Sequence, residues 1–300
     1  MKKSITIWRV IDGIYGHEKQ SKSLTSSLSK IINTKIIDLS VKDLWVLIVK
    51  NYFIKNKINK PKFIIGAGHK THMIIFLCKL VFGGKTILIM KPSLPINWFD
   101  LCFIPYHDHV NNIEKKNIVK IYGALNSLRN LGKHNPKRGL ILIGGNSKYF
   151  NWDNNNISLQ IKSICKAYPD VQYYLTTSRR TPSTFLKSLV SMNIKNIEIT
   201  SWSKVDNLWI EKRLNECKKV SVTIDSISMI YEAISAGGQV SIIDLIKKKE
   251  NKISREVERL ISKKILRKIG NNEMKEPKII IKESDRCAVI IKNKFLEPSS

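Results

Sequence analysis

Residues 220–233 have the sequence Val-Ser-Val-Thr-Ile-Asp-Ser-Ile-Ser-Met-Ile-Tyr-Glu-Ala. A β-type run that ends at Asp225 and passes directly into a helical pattern predicts a strand-turn-helix unit of an α/β fold. Ser226 and Ser228 then lie in the first helical turn, where backbone N–H groups point outward, and Glu232 lies one turn beyond Ser228. Hydroxyls for phosphate oxygens and a carboxylate for ribose hydroxyls indicate a nucleotide site. The simpler alternative is a helix N-cap followed by a surface glutamate.

The same alternation of short apolar runs and helical patterns extends outward from this stretch over most of the chain. Strands are predicted at residues 5–10, 35–39, 63–65, 86–90, 140–143, 172–175, 197–199, 220–224 and 240–243. Helices are predicted at residues 20–32, 43–57, 71–81, 158–167, 183–192, 205–215, 226–236 and 254–269. Apolar runs without period-2 alternation are typical of parallel strands that are covered on both faces.

The alternation is interrupted between Tyr122 and Arg138, where Asn, Gly, Lys and Pro accumulate. We therefore place a linker there and predict two Rossmann-like domains facing across a cleft. The first covers residues 1–130, the second residues 131–283, and a C-terminal helix at 284–300 can pack back on the first domain. Ligands of such sheets bind at the carboxyl ends of the strands, so the cleft is the expected site.

The composition narrows the classes of protein. The chain has 300 residues, a formal net charge of +28 and 43% hydrophobic residues, and this apolar fraction excludes a disordered chain. Residues 1–130 carry 21 basic and 7 acidic side chains, and residues 131–300 carry 31 and 17. Because each part has the same excess and no zinc-finger or RNA-binding signature occurs, we expect no nucleic-acid partner. General lysine enrichment and attraction to an anionic surface or substrate both remain open.

The sequence also indicates the compartment. No run reaches the roughly 18 apolar residues that a spanning helix needs, and the N-terminus lacks a secretory pattern. The five cysteines are scattered without metal-type pairing, namely Cys78, Cys102, Cys165, Cys217 and Cys287. We therefore expect reduced thiols and a cytoplasmic protein.

The loop after the first predicted strand contains three ionisable side chains. Asp12, His17 and Glu18 are the groups needed to deprotonate a hydroxyl, and Gly13 and Gly16 allow a close backbone approach. Any of the three can be the base. The alternative is a capped loop with solvated polar residues.

Two further strand-to-helix junctions carry glycine. One has the pair Gly66 and Gly68, followed by His69 and Lys70 at a helix start. The other has Gly144 and Gly145, followed by Asn146, Ser147 and Lys148. A single glycine pair is weak evidence for phosphate binding, but its recurrence at several junctions strengthens it.

Adjacent arginines end another predicted strand. Ser178, Arg179, Arg180 and Thr181 precede Pro182, which suits the first turn of a helix. Guanidinium groups match phosphate oxygens in a bidentate manner, so the pair can neutralise a diphosphate. A solvated basic turn is the alternative.

Two other segments are candidates for metal binding and for membrane binding. His107-Asp108-His109 does not complete a metal site, and we predict no bound metal. Trp45 to Ile54, with lysines around it, is a basic amphipathic segment that can lie on an anionic bilayer or serve as a core helix.

Taken together, these residues resemble the mitochondrial-fission family named after an "elongated mitochondria" protein. The resemblance covers most of residues 5–245 and rests on Asp12-Gly13, Gly16-His17-Glu18, Gln20, Phe99-Asp100-Leu101, Pro105, His107-Asp108, Gly123-Ala124-Leu125-Asn126, Ile143-Gly144-Gly145, Ser178-Arg179-Arg180-Thr181-Pro182, Asp225-Ser226, Ser228-Met229 and Glu232-Ala233. The chain departs from the family at Ile14-Tyr15 and at Asn146. The family is similar to GT-B glycosyltransferases, which implies an α/β, GT-B-like fold with an acceptor-binding first domain and a nucleotide-sugar-binding second domain.

The resemblance implies a metal-independent glycosyltransferase without a cofactor. It also implies a nucleotide-diphosphate sugar as donor and a lipid-linked or cell-envelope polysaccharide as acceptor, which would place the protein at the inner face of the membrane. Its implied donor-binding residues are Gly144, Gly145, Ser147, Lys148, Ser178, Arg179, Arg180, Asp225, Ser226, Ser228, Met229 and Glu232. Its implied acceptor-side residues are Gly13, Gly16, Gly68 and His69. The alternative is a non-catalytic peripheral membrane or scaffold protein that retains the fold. A sugar-nucleotide epimerase is disfavoured because no GxGxxG fingerprint or Tyr-x-x-x-Lys pair occurs where it is needed.

Overall fold

The computed structural model describes residues 4–54, 60–108, 115–270 and 282–297. The chain divides into two units, Met1–Ser127 with Lys282–Ser300 and Leu128–Ile281. Each unit is built around its own parallel sheet, as the short apolar runs predict.

The first unit contains strands β1 (Ile5–Ile11), β2 (Thr34–Ser40), β3 (Phe63–Ala67), β4 (Lys85–Ile89), β5 (Leu101–Pro105) and β6 (Ile118–Ile121). Its first three helices are α1 (Tyr15–Ile31), α2 (Val41–Ile54) and α3 (His69–Phe82). The strands pair in the order β2-β1-β3-β4-β5-β6, and every pair is parallel. The order reverses between β1 and β3, and ligands of open α/β sheets bind outside the carboxyl ends of strands at such a switch point.

Consecutive strand residues in this sheet are buried on opposite faces. Ile7 and Phe63 belong to one apolar cluster, while Trp8 and Ile64, the next residues along the same strands, belong to another. Helices therefore cover both faces, which explains why the strand sequences show no alternation of apolar and polar residues.

The second unit contains strands β7 (Asn135–Leu142), β8 (Phe150–Asn151), β9 (Gln172–Thr176), β10 (Ile197–Thr200), β11 (Cys217–Thr223), β12 (Gln239–Ile243), β13 (Ile246–Lys247) and β14 (Arg267–Lys268). Its helices are α4 (Asn154–Ala167), α5 (Ser183–Val190), α6 (Asn207–Glu216), α7 (Ile227–Ala236) and α8 (Lys252–Ser262). The parallel sheet has the order β10-β9-β7-β11-β12-β14, whereas β8 and β13 form a separate antiparallel pair. This is the Rossmann strand order, and its switch point lies between β7 and β11.

The last described helix, α9 (Glu283–Phe295), packs in the first unit against α1. The hydroxyl oxygens of Ser23 and Ser284 are 2.8 Å apart, and the Ser27 hydroxyl donates to Asp285 Oδ1 over 2.8 Å. Buried apolar residues of α9 join the core cluster of the first sheet.

Several predicted boundaries are wrong. Helix α1 begins at Tyr15 and not at Gln20, so His17 and Glu18 belong to its first turn and not to a loop. Strand β7 begins at Asn135, inside the predicted linker, and α8 ends at Ser262, seven residues before the predicted end. Strands β5 and β6 were not predicted. The predicted end of α2, residues 55–57, and His109 lie outside the described residues.

Candidate functional site

Polar side chains gather at the switch point of each sheet. In the first unit they follow β1 and β3, and in the second unit they follow β7, β9 and β11. These are the positions at which an open parallel sheet offers strand ends and helix N-termini to a ligand.

In the first unit, His17 and Asp12 form a pair. His17 Nδ1 lies 2.8 Å from Asp12 Oδ2, and the Asp12 side chain is fully buried while that of His17 is partly exposed. Asp12 Oδ1 accepts a hydrogen bond from the Ile14 N–H over 3.0 Å. A carboxylate at Nδ1 holds the proton on that nitrogen, so Nε2 of the neutral ring is free to act as a base.

Glu18 has a different role from His17. Its Oε1 accepts a hydrogen bond from the backbone N–H of Gly13 over 2.9 Å, and Gly13 adopts a positive φ of 78°. The carboxylate therefore fixes the turn before α1. Gly16 lies in the first turn of α1, with open space where a side chain would be.

Gly68 provides the surface on which the His17 ring lies. A Cβ added to Gly68 would overlap the imidazole, and its φ of 85° is also unfavourable for other residues. Gly68 is the N-cap of α3, and His69 is the exposed first residue of that helix. The structure thus brings five sequence-predicted residues together: Asp12, Gly13, His17, Glu18 and Gly68.

His72 is a buried polar residue that sequence analysis did not identify. It is 1% exposed, and its Nδ1 accepts a hydrogen bond from the Ser93 N–H over 3.0 Å. Burial, and then the nearby His69 and His17, lower its pKa from 6.5 to about 4. Its Nε2 has no hydrogen-bond partner in the described part of the chain. His72 is therefore a neutral ring with a buried N–H donor beside the Asp12–His17 pair.

In the second unit, Asp225 is the centre of the polar cluster. Its side chain is fully buried, and its Oδ2 lies 2.8 Å from Arg180 Nη2. The same oxygen accepts hydrogen bonds from the Gly145 N–H over 3.1 Å and from the Ser226 hydroxyl over 3.2 Å. Asp225 therefore ties the ends of β7 and β11 to the loop after β9.

Both glycines after β7 are required by close packing. A Cβ on Gly144 would overlap the Asp225 carboxylate and the Ser226 hydroxyl, and one on Gly145 would overlap the backbone of Arg180 and Thr181. The Gly144 N–H donates to Thr223 Oγ1 over 2.7 Å. These glycines thus let three loops meet at the switch point.

The two adjacent arginines have different surroundings. Arg180 donates to Ser226 Oγ over 3.0 Å and to the Asn146 carbonyl over 3.1 Å, besides its ion pair with Asp225. Arg179 is exposed, and its guanidinium carbon lies 5.7 Å from the centre of the Trp202 ring. Arg180 is thus engaged within its own unit, and the hypothesis that both guanidinium groups neutralise a diphosphate stays a prediction.

The loop that carries these arginines is held by hydroxyl groups. The Ser178 hydroxyl donates to the Gly144 carbonyl over 2.7 Å, and the Thr181 hydroxyl contacts the same oxygen. Thr181 Oγ1 also accepts from the Ser178 N–H over 2.9 Å. Ser178 is thus a positioning residue in this structure.

Helix α7 begins at Ile227, and its N-cap Ser226 makes no side-chain capping hydrogen bond. The Ser226 hydroxyl is engaged with Asp225 and Arg180 instead. Ser228 is exposed in the first turn, and Met229 and Glu232 are partly exposed. The N-terminus of α7 therefore retains its positive dipole end without a side-chain cap.

Ser147 and Lys148 contact their own neighbours. Ser147 Oγ accepts from the Tyr149 N–H over 3.2 Å, and Lys148 Nζ lies 4.9 Å from the centre of the Tyr149 ring. Their predicted contact with phosphate stays a prediction.

Within 4–54, 60–108, 115–270 and 282–297, no three His, Cys, Asp or Glu side chains are grouped as metal ligands would be. No helix in that part of the chain has the length and apolar character needed to cross a bilayer.

The chain is similar to known proteins over most of its length. A sequence profile of the family described as mitochondrial fission ELM1 matches residues 15–295. An uncharacterized protein of Rickettsia prowazekii (strain Madrid E) is 28% identical over an alignment length of 291, and the match covers 78% of this chain and 81% of that protein.

Solved structures show the fold at much lower identity. A UDP-GlcNAc 2-epimerase from Neisseria meningitidis, bound to UDP-GlcNAc, is 12% identical with a TM-score of 0.54 over 98% of this chain and 100% of that chain. A glycosyltransferase from Rickettsia africae ESF-5 is 10% identical with a TM-score of 0.50 over 97% of this chain and 94% of that chain. The expected GT-B-like fold is confirmed. Because an epimerase shares it, a missing dinucleotide fingerprint does not exclude an epimerase of this fold.

Proposed function

Since the chain belongs to the mitochondrial fission ELM1 family and has a GT-B-like fold, we propose that it is a glycosyltransferase. The donor is a nucleotide-diphosphate sugar, which is a substrate and not a resident cofactor. The acceptor is a hydroxyl of a lipid-linked or cell-envelope polysaccharide.

The observation that carries this proposal is the Asp12–His17 pair. A base for glycosyl transfer must take a proton from a hydroxyl, and a neutral imidazole with a buried carboxylate at its other nitrogen is suited to that step. His17 is therefore the base, Asp12 positions it, and Glu18 fixes the backbone turn. Of the three candidate bases that the sequence left open, Asp12, His17 and Glu18, this proposal selects His17.

The donor side is proposed for the second unit. Gly144 and Gly145 bring the backbone close to the switch point, and the N-terminus of α7 offers N–H groups with the Ser228 hydroxyl. Arg180 neutralises Asp225, so that a phosphate at this helix end does not face an unpaired buried carboxylate. Exposed Arg179 supplies positive charge, and Glu232 binds the ribose hydroxyls.

The proposed reaction transfers one proton to the base and one glycosyl group to the acceptor. His17 Nε2 takes the proton of the acceptor hydroxyl, whose oxygen forms a bond to the anomeric carbon of the sugar. The bond from that carbon to the diphosphate oxygen breaks, and the electron pair leaves with the nucleoside diphosphate. The α7 dipole and Arg179 stabilise the developing negative charge, which is the role of a divalent cation in other transferases.

The primary test is a binding screen of common nucleotide sugars by thermal shift. A ligand that binds only the folded protein raises the melting temperature, and the rise grows with the logarithm of the ligand concentration once this exceeds Kd. We expect at least one nucleotide sugar to stabilise the wild type and to lose this effect in Arg179→Ala and Glu232→Ala. Stabilisation that is unchanged in both variants would overturn the donor assignment.

The screen also separates transfer from epimerisation. A donor that is found in the screen is incubated with the protein, with and without EDTA, and the sugar is analysed. Release of the nucleoside diphosphate that needs an acceptor supports a transferase. Conversion of one nucleotide sugar into its 2-epimer would replace the proposal with an epimerase.

A second candidate, a non-catalytic protein at a membrane surface, is favoured by helix α2. Trp45, Val46 and Val49 are 45%, 51% and 52% exposed, and exposed Lys42 and Lys50 flank them. We call these five residues the α2 patch. The opposite side of α2 packs through buried Leu44, so the helix is both a core helix and an exposed amphipathic surface.

The α2 patch is compatible with either candidate, because a transferase that acts on a lipid-linked acceptor also works at the cytoplasmic face of a membrane. The two differ in donor binding. Stabilisation by a nucleotide sugar favours the enzyme, whereas vesicle binding without any response to nucleotide sugars favours the scaffold.

A further inference from the structure

A cavity of about 280 Å³ lies in the second unit, between the sheet and the C-terminal half of α4. Ser221 of β11 and Ser241 of β12 are paired in register and form part of its floor. Gly139 of β7 is in register with both Lys219 of β11 and Tyr173 of β9. Small residues on neighbouring strands leave the space that larger side chains would fill.

This cavity is separate from the candidate donor site. Lys219 is the third residue of β11, whereas Asp225 follows the end of that strand. Six residues of extended chain span about 20 Å. The cavity is therefore near the other end of the sheet.

Tyr173 places a buried donor in the cavity wall. The residue is 1% exposed, and its hydroxyl has no hydrogen-bond partner among the described residues. The ring lies over Gly139, where a Cβ would overlap it. Burial raises the pKa of Tyr173 above its usual value, so the hydroxyl keeps its proton. A buried hydroxyl without a partner costs free energy, and a ligand acceptor would remove that cost.

The charged side chains that line the cavity are all basic. Lys219, Arg267 and Lys268 are among the lining residues, and the described lining contains no Asp or Glu. Lys219 Nζ lies 4.5 Å from the centre of the Tyr168 ring. Burial, and then Lys218, lower the pKa of Lys219, as expected for an ammonium that is partly removed from water without a carboxylate beside it.

We propose that this cavity binds a small organic anion, with a carboxylate at Lys219 and Tyr173 and an apolar body against Ile164 and Tyr168. The remaining wall is mainly apolar, so an inorganic ion would leave most of the cavity unfilled. The volume is about twice that of the ~150 Å³ engineered cavity that admits benzene, which suits one or two fused rings.

The test is calorimetric titration of the full chain with 1-naphthoate, with 1-naphthalenemethanol as the uncharged probe. We expect saturable binding of the carboxylate, and a loss of affinity of about tenfold in Lys219→Met because a hydrogen bond to a charged group is removed. Ser221→Leu fills the cavity and should abolish binding. Lys187→Met, which removes an exposed lysine of α5, is the matched control and should bind like the wild type.

Melting curves of all variants check that the fold is retained, and Lys219→Met keeps the test decisive if Ser221→Leu does not fold. Binding of the alcohol as tightly as the carboxylate would overturn the anion assignment. Absence of binding to the wild type up to the solubility limit, or equal binding by Lys219→Met, would overturn the site.

Discussion

Nδ1 of His17 and Oδ2 of Asp12 lie 2.8 Å apart at the switch point of the first sheet, and the carboxylate is fully buried. A buried carboxylate at one ring nitrogen fixes the orientation of the imidazole and leaves the other nitrogen available. Gly68 lies against the ring because it has no side chain.

This pair makes the identity of the base testable. We expect His17→Gln to lower kcat for transfer by a factor of about 10² to 10⁴, the usual contribution of a general base. Asp12→Asn should also lower kcat, because an amide no longer holds the proton on Nδ1. Donor binding, measured by thermal shift, should be unchanged in both variants.

Glu18→Gln distinguishes the two carboxylates near His17. The glutamine oxygen can still accept the Gly13 N–H, so we expect a far smaller loss of kcat than in His17→Gln. If Glu18→Gln were as inactive as His17→Gln, Glu18 would share the catalytic role.

The stability of the protein should depend on pH through His72. Its pKa is about 4 in the folded protein and 6.5 in an exposed histidine, so the unfolded chain binds a proton first as pH falls. Stability is therefore full above pH 6.5 and is lost toward pH 4, by at most about 3 kcal/mol. Urea unfolding at several values across this range measures the effect.

His72→Gln should flatten this pH dependence, whereas His69→Gln at the exposed start of α3 removes only a smaller cause of the lowered His72 pKa and should keep most of the dependence, because burial is the largest cause. A wild-type stability that is equal at both ends of the range would contradict the assignment of a buried neutral ring.

The positions of the candidate sites were predictable because strand ends are visible in the sequence. The runs before Asp12 and Gly144 are apolar, and each is followed by glycine and polar residues. Parallel strands bring such ends to one edge of a sheet. The loops could therefore be placed without knowledge of tertiary contacts.

The roles of individual residues were not predictable. Arg180 and Asp225 are 45 residues apart in the sequence. The strand order of the second sheet brings the loops after β9 and β11 together, and only then can the two side chains form an ion pair. His72 is one of several residues in an apolar helical pattern, and its burial depends on the loop that contains Ser93. The start of α1 carries no capping signal, because its N-cap is Ile14 without a side-chain capping hydrogen bond, and the nearby glycines suggested a loop.

Substitutions of the two arginines should have different effects on stability and on donor binding. Arg180→Ala leaves the buried Asp225 carboxylate without its cation, and we expect a loss of about 1–3 kcal/mol because Arg180 itself is half-exposed. Arg179→Ala should have little effect on stability and should weaken donor binding. Chemical denaturation and the nucleotide-sugar screen measure the two effects. Equal stability of the two variants would argue against Arg180 as a positioning residue.

The glycines after β7 should not tolerate a side chain. In Gly145→Ala the new Cβ meets the backbone of Arg180, which cannot move without breaking the loop, so we expect a loss of about 1–3 kcal/mol. Gly16→Ala is the matched control, because its Cβ meets open space in helix α1. This substitution should stabilise the protein by about 0.5–1 kcal/mol relative to the wild type. Thermal unfolding tests both, and a neutral Gly145→Ala would show that the loops are less tightly packed than described.

The α2 patch should bind anionic vesicles. Trp45→Ser with Val49→Ser removes two exposed apolar side chains, while Lys42 and Lys50 keep their charge. We expect this double variant to bind phosphatidylserine vesicles at least about tenfold more weakly than the wild type, because even one apolar side chain that is buried in the membrane contributes about 1.5–3 kcal/mol and tenfold corresponds to about 1.4 kcal/mol. Leu208→Ser with Val190→Ser removes two even more exposed apolar side chains of the second unit and is the control. High salt should also weaken binding, because the flanking lysines are attracted to the acidic headgroups. Equal sedimentation of both double variants and the wild type would show that the membrane contacts another surface, and equal binding to neutral vesicles would remove the role of the lysines.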